Sequence, residues 1–482
     1  MPKEILINVE PREKRVAIVA DGQLEEYYME RPGDKTIVGN IYKGVIDAVV
    51  PAVGAAFVDI GLPKKGFLYL SEINEAFEFS DNNSFKQQKQ IKKGQEVLVQ
   101  VVKESFGTKG PRLSCHIGIA GRYIVLMPGQ GQIGISRRIE DDKERRRLKD
   151  ILQEQKLPKD VGFIVRTAAV GKSKQELARD AQFLLKLWSR IEKIINSQKA
   201  PSLVYEEYDL VFRAIRDSFT DDVSSLIVDS KPEFFRIIRF MKTFMSYLIR
   251  KVHLYKNQDL FGEKDVERQI NRIFESRVYL KSKAYLIIEP TEGLVVIDVN
   301  SGGFTKNIGQ EETAFRVNCD AAVEVARQLR LRDLGGIIVI DFIDMEKEDH
   351  RRKVLVALKN ALSGDRAKYD ILGISKFGVV EMTRERVHNT AQALSFQACP
   401  YCKGRGKIKS APTTSIYALK ELRRYLANTK DVKEVDLALN PEVTNELLKN
   451  REDVRFLEKK FHVKINLVSN PSLHLEDTKI SS

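Results

Sequence analysis

The chain has 482 residues, with 80 Lys+Arg against 67 Asp+Glu for a formal net charge of +13. That length suits several domains, and the basic balance favours a polyanionic partner, either nucleic acid or an acidic membrane face. No apolar run approaches a membrane span, Met1-Pro2-Lys3-Glu4-Ile5 lacks the apolar core of a signal peptide, and the 4 cysteines are too few for a secreted disulfide framework, so a cytoplasmic protein is expected.

In chain order, residues 3 to 30 alternate (Ile5, Ile7, Val9, then Val16, Ile18, Ala20), with Asp21-Gly22 at a turn and Leu24 onward. This predicts a small antiparallel meander with a scaffolding role. Residues 37 to 119 hold five short strand patterns: Ile41 to Val49, Gly54 to Gly61, Lys65 to Ile73, Gly94 to Val102 and Gly107 to Ser114. Such punctuation predicts a small barrel. Its residues resemble the ribosomal-protein S1-type OB fold, which binds single-stranded RNA. That resemblance puts Phe57 and Phe67 where bases stack and Lys109 where it meets phosphate. The polar insert Phe77 to Lys93 reads as a loop.

Residues 120 to 210 read as basic and mostly helical, with a Gly-rich loop from Met127 to Gly134 and a charged run from Asp141 to Asp150 that makes a solvated helix face. Gly171-Lys172-Ser173 is no P-loop, because that spacing needs glycine where Arg166 stands. Instead Ser173 and Glu176 form a capping box opening a helix to about Ile195. Arg166 and Thr167 end a strand and offer a guanidinium fork beside a hydroxyl, a pair able to grip phosphate. Residues 211 to 278 alternate helix and strand around Leu226 to Asp229 and carry no catalytic constellation.

Residues 279 to 395 hold two copies of an apolar run ending in an acid: Gly293 to Asn300, with Asp298, and Gly335 to Met345, with Asp341. Between them, Ala314, Val317, Ala321, Val325 and Leu329 recur at helical spacing from Glu311 to about Arg332. Strand, helix, strand predicts a crossover with parallel strands, so that both acids emerge at one carboxyl edge. Two carboxylates with the Asn300 carbonyl suit Mg²⁺ or Mn²⁺ and metal-assisted phosphodiester hydrolysis. The plainer alternative is that each Asp caps a strand or a following helix. His350 could serve as a general base, but at a charged helix start it reads as solvent-exposed. Phe377 to Arg384 predicts another strand of this sheet.

Cys399-Pro400-Tyr401-Cys402-Lys403-Gly404-Arg405-Gly406 is half a zinc knuckle. The tetrad alone also suits a thioredoxin-like redox site, but that needs the pair to follow an early strand and open a helix. Structural zinc takes four ligands, and the chain has no second pair. The economical solution is one zinc shared by two chains, hence a homodimer; a reduced pair without metal is the alternative. Residues 411 to 482 read as helix, strand, helix, strand, with the last dozen residues frayed.

Together these stretches identify the chain as similar to the ribonuclease E/G family. The resemblance is carried by Ala55 to Asp59, Arg166-Thr167-Ala168, Ile297 to Ser301, Ala326 to Gly336, Ile340 to Met345 and the Cys399/Cys402 knuckle. It implies a multidomain α/β and β fold with an S1-type OB-fold RNA-binding barrel (37–119) inserted in a ribonuclease-H-like scaffold (1–36 and 211–278). It further implies a 5′-end sensor (120–210), a DNase-I-like catalytic α/β subdomain (279–395), a zinc link (396–410) and a small dimerising α/β domain (411–482). Carried over, Asp298 and Asp341 are magnesium ligands assisted by Asn300, and Arg166, Thr167 and nearby Arg138 take a 5′-monophosphate. Phe57, Phe67 and Lys109 bind the single strand, Cys399 and Cys402 share zinc with a second chain, and Lys368 stands where another basic sensor residue is placed. The implied activity is an Mg²⁺-dependent endoribonuclease that leaves 5′-phosphate and 3′-hydroxyl ends. Its substrate is single-stranded AU-rich RNA, preferably 5′-monophosphorylated, from rRNA precursors and mRNA. The implied assembly is a homodimer that could pair into a tetramer, without a tail for degradosome partners. A catalytically silent RNA-binding scaffold is the alternative, and a redox role for the cysteines a third reading.

Overall fold

The computed structural model describes residues 3–33, 35–73, 91–105, 109–155, 158, 161–291, 293–303, 309–375, 378–385, 395–429 and 432–482, without the side chains of 243 and 244. Most of the polar insert at 77–93, and Phe377, therefore lie outside the described residues. The chain divides into two units, 1–391 and 392–482.

In the first unit the predicted meander forms: Lys3–Glu10, Glu13–Ala20 and Gln23–Glu30 pair antiparallel. Val223–Val228 then adds in parallel beside Lys3–Glu10, and Val252–Leu254 beside that. Ile5, Ile7, Val16 and Leu226 are buried on the face covered by Leu210–Ser218 and Lys231–Phe244.

The predicted barrel closes. Ile41–Val50 pairs with Ala55–Asp59, that strand with Gly66–Tyr69, then Arg112–Ser114 and Glu96–Lys103, which returns to Ile41–Val50. Gly44 sits where the strands converge, since a Cβ there would lie 2.6 Å from a Val58 methyl. Ser202–Tyr205 also pairs with Ile41–Val50, from far along the chain.

Residues 120–210 differ from the helical expectation. Ile119–Ala120, Ile124–Pro128, Ile133–Ile135 and Val161–Val165 form a four-stranded sheet among the described residues. The strands are too short for period-2 alternation to declare itself, and glycines interrupt them. The helix Lys174–Ser197 begins at the expected Ser173/Glu176 capping box.

The acid-bearing sheet runs, in spatial order, Arg277–Tyr279, Tyr285–Pro290, Leu294–Asn300, Gly336–Asp341, Val379–Arg384 and Tyr369–Ile374. The Leu294–Asn300 and Gly336–Asp341 strands are parallel, as the crossover predicts. The helix Gln310–Leu331 buries Ala314, Val317, Ala321, Val325 and Leu329, the stripe the spacing marks out.

In the second unit, Ala411–Asn428, Pro441–Lys449 and Arg451–Phe461 are helices, and Glu434–Leu439 pairs in parallel with Lys464–Ser469. The expected frayed terminus is instead a strand, Thr478–Ser481, antiparallel to Glu434–Leu439. Ile480 packs on the unit's core opposite Leu437, and the Tyr425 hydroxyl meets Ser482 Oγ at 2.8 Å. Buried Leu475 and half-buried Ile480, with ladder hydrogen bonds, dock a segment that composition marks as polar. Among the described residues no helix is long and apolar enough to cross a membrane.

Candidate active site

Asp298 and Asp341 are direct partners in the parallel register. In-register side chains share a face, and Ile297, Val299, Ile338 and Ile340 fill the core beneath. Both acids and Asn300 therefore fall on the face away from the helices. Asn300 Nδ2 donates to Asp298 Oδ2 at 2.7 Å, fixing that carboxylate. The Asp341 carboxyl is pushed above its ordinary pKa by partial burial and by the charges of Asp298 and Asp344. Asp344 is a residue to which the sequence assigns no role. Asp341 thus meets the charge of two other carboxylates, a repulsion that a cation relieves. Among the described residues no cluster of three or more His, Cys, Asp or Glu side chains makes a ready metal cage. The Asp298/Asp341 pair suits Mg²⁺ nonetheless, because that ion keeps waters and takes one or two carboxylates plus substrate phosphate.

The stretch after Asp341 is pinned by the preceding helix. Asn318, fully buried, donates to the Ile343 carbonyl at 2.7 Å and accepts from the Ile343 amide at 3.0 Å. Glu311 accepts from the amides of Glu346 at 2.8 Å and Lys347 at 3.2 Å. His350 is not solvent-exposed as expected. Its Nδ1 lies 2.7 Å from Glu311 Oε1, and its ring stacks on Phe315 at 4.3 Å. Glu311 and Phe315 are four residues apart on one helix, so they present a carboxylate and a ring side by side.

Arg166 follows the Val161–Val165 strand, and Thr167, exposed, opens a 3₁₀ turn. The sequence-predicted fork is already engaged: Arg166 Nη1 donates to the Gly121 carbonyl at 2.7 Å and Nη2 meets Asp217 at 2.7 Å. Asp217 also pairs with Arg216 at 3.1 Å. Burial raises the Asp217 pKa, but Arg216 and Arg166 outweigh it and hold the carboxyl below the ordinary range. Buried Asp180 accepts the amides of Arg122, Tyr123 and Ile124 at 3.2, 2.8 and 3.1 Å, shaping the turn that Arg166 grips. A Cβ on Gly121 would lie 2.7 Å from Asp180 Oδ2, so this approach needs glycine. Arg138 is exposed, and its guanidinium donates to the carbonyls of Asp365, Arg366 and Ala367 at 3.0, 3.0 and 3.1 Å. Lys368, next along, is exposed.

On the barrel, Phe57 and Phe67 are register partners with ring centroids 6.1 Å apart, and Phe57 is 37% exposed. Tyr69 extends the row, 5.0 Å from Phe67, with Arg112 over its ring at 5.0 Å. The sequence assigns a role to neither; the signal for Tyr69 is its i+2 spacing from Phe67. Lys109 is exposed, whereas Lys65 is paired to Asp59 at 2.5 Å.

In the second unit, Cys399 is exposed and Cys402 half-buried, both as free thiols. The Cys399 thiol is held below its ordinary pKa by the backbone amides of Cys402 and Tyr401 and by the Cys402 side chain. Positive φ at Lys403, Gly404 and Gly406 wraps the chain around the pair. The next helix starts only at Ala411, so the pair does not open a helix as the redox reading requires. Two thiols form half of a four-ligand zinc set.

A family profile described as "Ribonuclease E/G family" matches residues 118–387. A profile described as "S1 RNA binding domain" matches 35–116, and "RNase E/G, Thioredoxin-like domain" matches 398–482. Among curated proteins, the chain is 41% identical over 434 residues to Ribonuclease G of Escherichia coli K12, covering 88% of each. Ribonuclease G of Haemophilus influenzae is 42% identical over 428 residues, covering 87% of each. Ribonuclease E of Haemophilus influenzae is 40% identical over 479 residues, 98% of this chain and 51% of that protein.

Proposed function

This chain belongs to the ribonuclease E/G family and is an endoribonuclease, and from that premise we propose how it works. It hydrolyses single-stranded AU-rich RNA at Asp298 and Asp341 with Mg²⁺, favours 5′-monophosphorylated ends, and serves rRNA processing and mRNA decay in the cytoplasm. It acts as a homodimer joined through zinc shared by Cys399 and Cys402 of two chains. The sheet of residues 3–30 and 223–254 serves as a ribonuclease-H-like scaffold, and the acid-bearing sheet as a DNase-I-like catalytic subdomain.

The observation that carries the reading is the in-register pairing of Asp298 with Asp341 on an open sheet face, with Asn300 steadying Asp298. A divalent cation held there supplies Lewis-acid charge to the scissile phosphate and lowers the pKa of a water. The chain's own part is to hold and orient. Asp298 is aimed by the Asn300 amide, and Asn318 and Glu311 fix the backbone that follows Asp341. The aromatic row on the barrel stacks bases, and the exposed Lys109 meets backbone phosphate. Arg166 and Thr167 offer a cation and a hydroxyl to a terminal phosphate.

The test is cleavage of a short AU-rich RNA with and without Mg²⁺, comparing 5′-monophosphate with 5′-hydroxyl ends. Wild-type protein is expected to cut only with the metal and faster on the phosphorylated RNA. Asp341→Asn is expected to bind without cutting. Retained cutting by that variant sinks the aspartate assignment, and end-blind cutting sinks the sensor. Binding by wild type without any cutting would favour a silent scaffold.

A further inference from the structure

The face that carries the acids continues to the free edge of the sheet. Register places Asp298 opposite Ile287, and Ile287 opposite Arg277; in the next row Asn300 faces Tyr285, and Tyr285 faces Tyr279. In-register partners share a face, so all of these side chains lie with Asp298. At about 4.8 Å per strand, the edge is about 10 Å from Asp298.

What stands on that edge is chemically specific. Tyr279 is 67% exposed, unusual for so large a ring. Its ring centroid lies 6.1 Å from that of Tyr285 at 57°, and the Arg277 guanidinium sits over Tyr285 at 4.5 Å. Exposed Lys281 and Lys283 follow in the turn between the two strands. Edge strands are often protected by charge, which accounts for Arg277 but not for an exposed tyrosine. Ile287 lies between Arg277 and Asp298 in the ladder, next to Tyr285 on the same face.

The geometry points to a base-stacking subsite for the RNA strand flanking the scissile phosphate, with Tyr279 and Tyr285 as the platform and Arg277 as its phosphate contact. This rests on Asp298 and Asp341 being the cleavage site. Aromatic rings beside a cation are the chemistry by which proteins hold single strands without reading sequence. Continuity with the acids, together with positive charge, selects RNA as occupant.

The test is an abasic scan of a 5′-monophosphorylated RNA with a single cleavage site, measuring binding and cleavage by the full-length protein. For wild type, one abasic position close to the cleaved bond is expected to weaken binding roughly tenfold. Tyr279→Ala is expected to bind the intact RNA that much more weakly and to lose sensitivity at that position, while Tyr279→Phe keeps both. Arg277→Gln is expected to flatten the salt dependence of log K by about 0.7. Absence of cleavage by wild type would refute the catalytic reading, while the binding scan would still decide the subsite. A Tyr279→Ala protein with wild-type affinity and abasic profile overturns the proposal. So does one that loses only self-association, which would assign the patch to a protein contact.

Discussion

An arginine that is to receive a phosphate must be aimed without being neutralised. Arg166 shares Asp217 with Arg216, so it is aimed by a carboxylate it does not hold alone. Arg216 in turn leans on Glu207 at 2.9 Å. Asp217→Asn breaks this half-buried arrangement, and a loss of about 3 kcal/mol in unfolding free energy is expected. The folded pKa of Asp217 is depressed, so its contribution is complete above the ordinary carboxylate value of about 4 and disappears as pH falls through the lower folded value. Urea midpoints measured from pH 5 downward should therefore fall more steeply for wild type than for Asp217→Asn; parallel curves would remove Asp217 from the account. Asn318 acts differently. Truncation to alanine strands the Ile343 N–H and carbonyl, at about 1–3 kcal/mol each. It also loosens the backbone two residues beyond Asp341, where small misplacements are costly in rate. We expect Asn318→Ala to lower kcat at least about tenfold with KM little changed; a change confined to KM would contradict a positioning role.

At the level of elements, legibility followed locality. The crossover placed Asp298 and Asp341 on one edge because apolar run, helical stripe and second run lie within fifty or so residues. The tethers at Glu311 and Asn318 were invisible, since nothing in a sequence says which backbone a buried amide will meet 25 residues on. The burial of His350 is illegible for the same reason: its partners Glu311 and Phe315 come from another helix. The Thr478–Ser481 strand is hidden in the sequence, because polar composition outweighs Ile480 until a partner strand is present. Its contribution is measurable. A chain ending at Asp477 loses the pairing to Glu434–Leu439 and the packing of Ile480, and about 2 kcal/mol of local stability should go with them. Hydrogen exchange at the amides of Glu434–Leu439 should speed up correspondingly, while exchange in the barrel strands should not. Unchanged exchange at Leu437 would show that the terminal strand adds no stability.

Across residues 3–385 the region around Arg166 and the acids are joined by polar contacts rather than by one apolar core. Arg138 holds the carbonyls of residues 365–367. The Asp365 carboxylate in that turn pairs with buried Arg384 at 2.8 Å, and Arg384 also binds Asp333 at 2.9 Å and the Leu334 carbonyl at 2.7 Å. Arg384 is the register partner of Gly336, the first residue of the strand that ends at Asp341. From the other side, Arg366 Nη2 donates to Ser218 Oγ at 2.6 Å, one residue from Asp217. The Arg384 links are buried or half-buried, so they are screened little and hold their geometry, whereas the Arg138 contact to the Arg366 carbonyl is exposed. If the 5′ preference depends on the 365–367 turn keeping its place, Arg138 matters as a clamp and not as a phosphate ligand. Arg138→Ala should then lower the ratio of kcat/KM for 5′-monophosphate over 5′-hydroxyl RNA by about fivefold or more, the ordinary range of coupling between sites. Cleavage of the 5′-hydroxyl RNA should stay near wild type, because the acids keep Asn300, Asn318 and Glu311. A direct phosphate ligand would behave differently: the loss from Arg138→Ala would shrink as salt screens its charge, whereas the loss of a clamp that binds neutral carbonyls should not. An equal fall on both RNAs would mean that Arg138 supports the fold and carries no message between the two regions.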